Sequence, residues 1–328
     1  MPTALYFKPT WERLAPRIQA LAPDLRVGLY DENGAITLDG APMSLEELQP
    51  QYFWIHSELF FSPRLKDYFE LMLRSSSIEW LHTINTGLDK LPYLDLVERG
   101  VKVTNNHSQA IAIAEFVFGQ VLAHFQDVAD YRAKQAEGIW KHRAFREVSG
   151  SRWVLVGFGA IARELAVRLR AFGAEVIAVR RSPEGEGLAD VVLPTERIYE
   201  VLPEADVVVL ACASNASTRN LVDQRFLAAM NERSVLVNIA RGDLVVEEYL
   251  RAALDAGRPA YAVLDVFNDE PPQPESWVWQ HPRVSLTPHT SNAGSGMRRR
   301  SEELFLDNLR RALVGAPLLN QVSRRDIV

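Results

Sequence analysis

Apolar and polar positions follow two rhythms in this chain. Short apolar runs of strand length fall at 4–7, 26–30, 52–56, 79–84 and 101–104. Between them, apolar residues recur at helical spacing. Ser44 and Glu47 have the spacing of a capping box, and Ser62 before Pro63 reads as the opening of a helix that runs through Leu73. Residues 91–99 form a short helix stopped by Gly100. Strands alternating with helices predict a parallel sheet covered by helices.

From Ser108 to Asp130 the pattern is that of one long helix, long enough to bridge two domains. It carries Ile113, Phe116, Val117, Val121 and Phe125. Residues 131–150 are polar and irregular, with Trp140 the one large apolar side chain singled out there. A second series of strands follows at 153–156, 175–179, 191–193, 206–211, 234–239, 260–267 and 284–287, with helices near 197–202, 223–230 and 246–256. A last helix at 297–314 is expected to return to the first domain.

The segment from Trp153 to Ser182 organises the rest. An apolar strand runs into Gly157, Gly159 and Ala162, a G-x-G-x-x-A turn, then a helix with one apolar stripe and a second strand. Gly157 permits a tight turn, Gly159 admits a pyrophosphate to the backbone, and Ala162 lets the helix lie close on the sheet. Ala160 and Ile161 open that helix, whose free N–H groups face the phosphates. A dinucleotide site is the expectation. The acid that would hold the ribose hydroxyls of NAD is missing after the second strand. Arg180, Arg181 and Ser182 stand there and suit a 2′-phosphate, so NADP is expected over NAD.

At 328 residues the chain suggests about two domains. A net charge of −6 argues against a nucleic-acid partner. The single cysteine, Cys212, excludes an internal disulfide and fits a reducing cytosol. No Cys/His cluster has metal-ligand spacing. No secretory signal is visible and no apolar run has the length of a membrane span, so a cytoplasmic protein is expected.

Ligands of open α/β sheets bind outside the carboxyl ends of the strands. That rule selects His56, the loop of Thr86, Gly87 and Leu88, and residues 105–108, where His107 is expected to be solvated. Farther on it selects Ala211 and Cys212, Ala240 and Arg241, Asp265 and Glu270, and His289. At these positions the chain resembles the D-isomer-specific 2-hydroxyacid dehydrogenases, glyoxylate and hydroxypyruvate reductases among them. The resembling stretches are I-N-T-G-L-D (84–89), G-F-G-A-I-A (157–162), L-V-N-I-A-R-G-D-L-V (236–245), L-D-V-F-N-D-E-P-P (264–272) and L-T-P-H-T-S (286–291).

The resemblance implies an α/β architecture of two doubly wound parallel-sheet domains. A Rossmann-type cofactor domain (108–294) is inserted in a flavodoxin-like substrate domain (1–107 with 295–328). It implies that Arg241, Glu270 and His289 reduce a 2-oxo acid. His289 gives the proton, Glu270 favours its imidazolium and fixes its tautomer, and Arg241 binds the carboxylate and polarises the carbonyl. The backbone of Thr86, Gly87 and Leu88 meets the same carboxylate, and Asp265 stands near the nicotinamide or else orders its own loop. Trp140 reaches a partner subunit in a homodimer, or else is buried within its own chain. Small substrates like glyoxylate or hydroxypyruvate are the first expectation. Bulkier oxo acids, or a dinucleotide-sensing regulator without activity, are the alternatives.

Overall fold

The computed structural model describes residues 2–88, 91–181 and 187–327. Ser182, one of the three residues expected at a 2′-phosphate, lies outside them. The chain forms two compact units, Met1–Ser108 with Ser295–Val328, and Gln109–Gly294.

The first unit holds β1 (Thr3–Phe7), β2 (Arg26–Tyr30), β3 (Ile36–Leu38), β4 (Ala41–Pro42), β5 (Tyr52–Ile55), β6 (Trp80–Thr83) and β7 (Lys102–Thr104), in the order β4-β3-β2-β1-β5-β6-β7. Taken alone, β2-β1-β5-β6-β7 are parallel and have the flavodoxin-like order. The antiparallel edge of β3 and β4 departs from the all-parallel expectation. These strands are too short to register as apolar runs. A turn at Asp31, whose side chain accepts from the N–H groups of Asn33 and Ala35, folds them back.

A helix at Lys8–Leu21, with Pro16 inside it, was not legible from spacing. The capping box forms: Ser44 Oγ accepts from Glu47 N at 3.2 Å, and Glu47 accepts from Ser44 N at 3.0 Å. The helix expected from Ser62 begins later, at Leu65, because the Ser62 hydroxyl is taken by Arg64 N in a turn. The expected helix near the end of the chain, Met297–Leu313, drives Phe305 into the core, and a short helix, Arg324–Ile327, follows it. There it stacks on Trp54 with ring centroids 3.6 Å apart and meets the Tyr6 ring edge-on at 5.7 Å.

The second unit holds β8 (Arg152–Val156), β9 (Glu175–Val179), β10 (Val191–Leu193), β11 (Val207–Leu210), β12 (Val235–Asn238), β13 (Tyr261–Leu264) and β14 (Val284–Leu286). All are parallel, in the order β10-β9-β8-β11-β12-β13-β14, the doubly wound dinucleotide order with a seventh strand added. Both faces are covered. Val154 and Val156 of β8 enter one core, and Trp153 and Leu155 enter the other. Such strands read as continuous apolar runs for this reason.

The long helix expected over 108–130 is two helices, Ala110–Phe125 and Val128–Ala136, bent by 57°. Asp127 breaks it with φ +52°. The first helix buries Ile113, Val117, Val121 and Phe125 against Ala162, Leu165 and Leu169 of the helix Ala160–Ala171. The second buries nothing, so no packing holds the two in line. Trp140 is fully exposed, which overturns its reading as a buried intrachain aromatic. No single helix among the described residues is long and apolar enough to cross a membrane.

Phe305→Ala empties the stacked aromatic site and is expected to cost about 3–5 kcal/mol in urea unfolding of the first unit. An unchanged midpoint would show that Phe305 is not central to that core.

Candidate active site

The strand β8 ends in the glycine turn. Gly157 has φ +88°, a region that disfavours any side chain. A Cβ there would also lie 2.6 Å from Cys212 Cα and 2.8 Å from the Ala211 carbonyl oxygen. So Gly157 does more than turn the chain: it lets the turn lie against the loop after β11. At Gly159 a Cβ would meet nothing within 4 Å, so the space before the helix is open. Gly159 is the N-cap of Ala160–Ala171, and as a glycine it has no side chain to cap the N–H groups of that first turn. Ala162 is buried against the helix Ala110–Phe125. Open space at Gly159 in front of a helix N-terminus fits the diphosphate of a dinucleotide.

At the end of β9, Arg180 N donates to the Leu193 carbonyl at 3.0 Å, which holds this corner onto β10. Arg181 follows on the surface. Cys212 is mostly buried, and burial pushes its thiol up to about 11, so it stays a neutral packing group.

The other chemistry-bearing residues lie past the ends of three adjacent strands. Arg241 follows β12 in extended conformation, φ −147° and ψ 149°, with Nη1 donating to the Ala240 carbonyl at 2.8 Å. Glu270 lies past β13. Its Oε1 accepts from Phe267 N at 3.0 Å, and its Oε2 is 2.7 Å from His289 Nδ1. His289 follows β14 and is partly exposed. With Nδ1 turned to the carboxylate, Nε2 is the ring atom left for exchange with a ligand.

His289 has φ +47°, unusual for a residue with a side chain. Asp265 holds it there. Its carbonyl accepts from His289 N at 2.9 Å. Its buried carboxylate accepts from Thr287 Oγ1 at 2.6 Å, Thr290 N at 2.9 Å and Ser291 N at 3.0 Å.

In the first unit, Thr86 is stitched to the next loop: its hydroxyl donates to the Asn106 carbonyl at 2.7 Å, and its carbonyl accepts from Asn105 Nδ2 at 2.8 Å. Leu88 is buried. His56 is buried against Glu58. His107 is half-buried rather than solvated, and burial lowers its pKa. Among the described residues no cluster of His, Cys, Asp or Glu could hold a metal ion.

Asn238 went unnoticed as a site residue in the sequence, and Gly242, which the strand-end rule selects together with Ala240 and Arg241, was not expected to pack as it does. Gly242 lies so close to the loop after β13 that a Cβ would stand 2.0 Å from the Phe267 carbonyl carbon. Asn238, buried at the end of β12, accepts from Ala240 N at 3.1 Å and donates to the Arg241 carbonyl at 2.8 Å. Both stand in the stretch N-I-A-R-G, so their nearness to Arg241 was the available signal.

Comparison with known proteins places this geometry. Residues 118–291 match the family described as D-isomer specific 2-hydroxyacid dehydrogenase, NAD binding domain. Glyoxylate/hydroxypyruvate reductase A HPR2 of Arabidopsis thaliana is 30% identical over 250 residues, which cover 75% of this chain and 79% of that one. The 4-methyl-2-oxopentanoate reductase A of Aspergillus oryzae is 31% identical over 260 residues, 77% of each chain. A solved D-isomer specific 2-hydroxyacid dehydrogenase from Xanthobacter autotrophicus Py2, in complex with NADPH and MES, superposes with a TM-score of 0.81 over 100% of both chains at 26% identity.

Gly242→Ala forces a methyl group into the Phe267 backbone and is expected to cost about 1–3 kcal/mol in urea unfolding of the second unit. Wild-type stability together with wild-type loop positions in a crystal structure would show that the close approach is not required.

Proposed function

The chain belongs to the D-isomer-specific 2-hydroxyacid dehydrogenase family, and on that basis we propose that it reduces small 2-oxo acids to D-2-hydroxy acids with NADPH. Glyoxylate and hydroxypyruvate are the first candidates. The observation that carries the reading is the pair of His289 and Glu270, with Nδ1 and Oε2 2.7 Å apart, past the strands that neighbour the one Arg241 follows, on the same sheet as the glycine turn.

When bound, the reduced nicotinamide supplies the hydride that adds to the carbonyl carbon. The protein does the rest. Gly157, Gly159 and the N–H groups at Ala160 and Ile161 receive the diphosphate. Ala211, Cys212 and Ala240, each just past a strand end, would offer backbone groups to hold the cofactor. Arg241 pairs with the substrate carboxylate and draws electron density from the carbonyl through its fork of donors. His289 Nε2 delivers the proton that turns the carbonyl oxygen into a hydroxyl. Glu270, on the opposite ring nitrogen, fixes the tautomer and balances the charge. Asp265 orders the His289 loop, and one lone pair beyond the three donors it holds would serve a carboxamide N–H.

Preference for NADPH rests on Arg180 and Arg181, with Ser182 beside them in the sequence, and on the NADPH-bound relative. We read the protein as a cytosolic homodimer. The exposed Ile139, Trp140 and Phe145 form an apolar stretch suited to a two-fold interface. Bulkier oxo acids are the second reading, favoured by the similarity to the 4-methyl-2-oxopentanoate reductase.

The deciding assay follows nicotinamide absorbance with NADPH and glyoxylate, hydroxypyruvate or 4-methyl-2-oxopentanoate. Turnover is expected with at least one. Tight NADPH binding with no turnover would mean a dinucleotide sensor instead. His289→Ala and Arg241→Ala are each expected to lower kcat/KM by about a hundredfold or more. Near wild-type activity in either variant removes that residue from the mechanism. NADPH should be preferred to NADH by about ten- to a hundredfold, and Arg180→Ala should weaken NADPH binding far more than NADH binding. Equal kcat/KM for the two cofactors would end that part of the proposal. Sedimentation at micromolar concentration should give a dimer, and a monomer would contradict the assigned interface.

A further inference from the structure

Arg241 can serve a carboxylate only if its backbone is aimed and held. A guanidinium sits at the end of a long side chain, so a small rotation of the backbone carries it far from its ligand. The residues around it show how the backbone is fixed. Asn238 is fully buried at the last position of β12. Its Oδ1 accepts from Ala240 N, and its Nδ2 donates to the Arg241 carbonyl. One amide group thus grips the Ile239–Ala240 peptide and the Arg241–Gly242 peptide, which bracket Ala240 and Arg241. Its own carbonyl accepts from Asp265 N at 3.1 Å, the residue that holds the His289 loop.

We propose that Asn238 is a positioning residue for Arg241: its side-chain amide sets the extended backbone that presents the guanidinium to the substrate carboxylate. This rests on the reading of Arg241 as the carboxylate's partner.

The chemistry of the amide explains why this residue type is needed. The grip requires an acceptor and a donor on one short, rigid plane. Asn supplies both. Asp supplies two acceptors and would turn a negative oxygen toward the Arg241 carbonyl. Ala supplies neither, and in a buried place no water replaces them at low cost. With Arg241 Nη1 bonded to the Ala240 carbonyl, and Ala240 N bonded to Asn238, the guanidinium is tied through two bonds to the same amide.

The test compares wild type, Asn238→Asp and Asn238→Ala. Steady-state kinetics are measured with NADPH and the preferred oxo acid. Oxamate, a stable analogue of a 2-oxo acid, is titrated calorimetrically into protein saturated with NADPH. Both variants are expected to raise the oxo-acid KM and the oxamate Kd by about tenfold or more, with the KM for NADPH within about twofold of wild type. A residue that only stabilised the fold would lower the active fraction. That result reads as a lower kcat with both KM values unchanged, and it would overturn the proposal, as would wild-type kinetics. If Asn238→Ala does not fold, the nearly isosteric Asn238→Asp decides alone. If wild type neither turns over an oxo acid nor binds oxamate, the reading of Arg241 has failed. Crystal structures then judge the positioning separately. Arg241 displaced from φ −147° and ψ 149° in the variants supports it, and an unmoved backbone refutes it.

Discussion

The site depends on one buried carboxylate. Asp265 has no exposure to solvent, and an isolated charge in such a place would be untenable. It is tolerable because the next loop folds around it and aims a hydroxyl and two N–H groups at its oxygens. The requirement runs both ways. The carboxylate needs these donors, and the donors need a backbone bent so that His289 enters the left-handed region. His289 therefore stands where it does because the backbone around Asp265 leaves it nowhere else. Removing the acid would strand three donors and relax the bend that points the imidazole toward Glu270.

The strand order then sets the sequence of events across the second unit. Arg180 follows β9, the glycine turn follows β8, Cys212 follows β11, Arg241 follows β12, Glu270 lies past β13 and His289 follows β14. These strands are consecutive neighbours in the sheet. At about 4.8 Å per strand, five steps span about 24 Å, the scale of an extended dinucleotide with a small acid beside it. The sheet places Arg180, the residue proposed to choose between cofactors, at one end and His289, the proposed proton donor, at the other. Each can vary without disturbing the other's neighbours.

Much of this was legible in the sequence. The strands of the second unit declare themselves because both faces are buried, as Trp153 through Val156 show. The glycine turn was legible because its residue types leave few other uses. What stayed hidden was backbone geometry. The helix from Ala110 onward breaks at Asp127 although its apolar spacing gives no warning, since the break reflects missing partners for Val128–Ala136. The roles of Asn238 and Gly242 were hidden for a related reason: one bonds only to backbone, and the other matters for the atom it lacks. His107 looked like a solvent-facing polar residue, and only the fold around it shows the burial.

The stacked ring of Phe305 bears on how the protein is made. The first unit is discontinuous in the chain, and the second is one unbroken stretch. Phe305 follows its partner Trp54 by roughly 250 residues, so at roughly 5–20 residues per second a ribosome needs tens of seconds to deliver it. Through that interval Tyr6, Trp54 and Trp80 lack the helix that covers them, and the second unit, whose last strand ends at Leu286, has every strand it needs before Phe305 is made. Synthesis therefore imposes an order of assembly in which the part that begins first finishes last. The nascent chain carries an uncovered aromatic face until the helix Met297–Leu313 emerges.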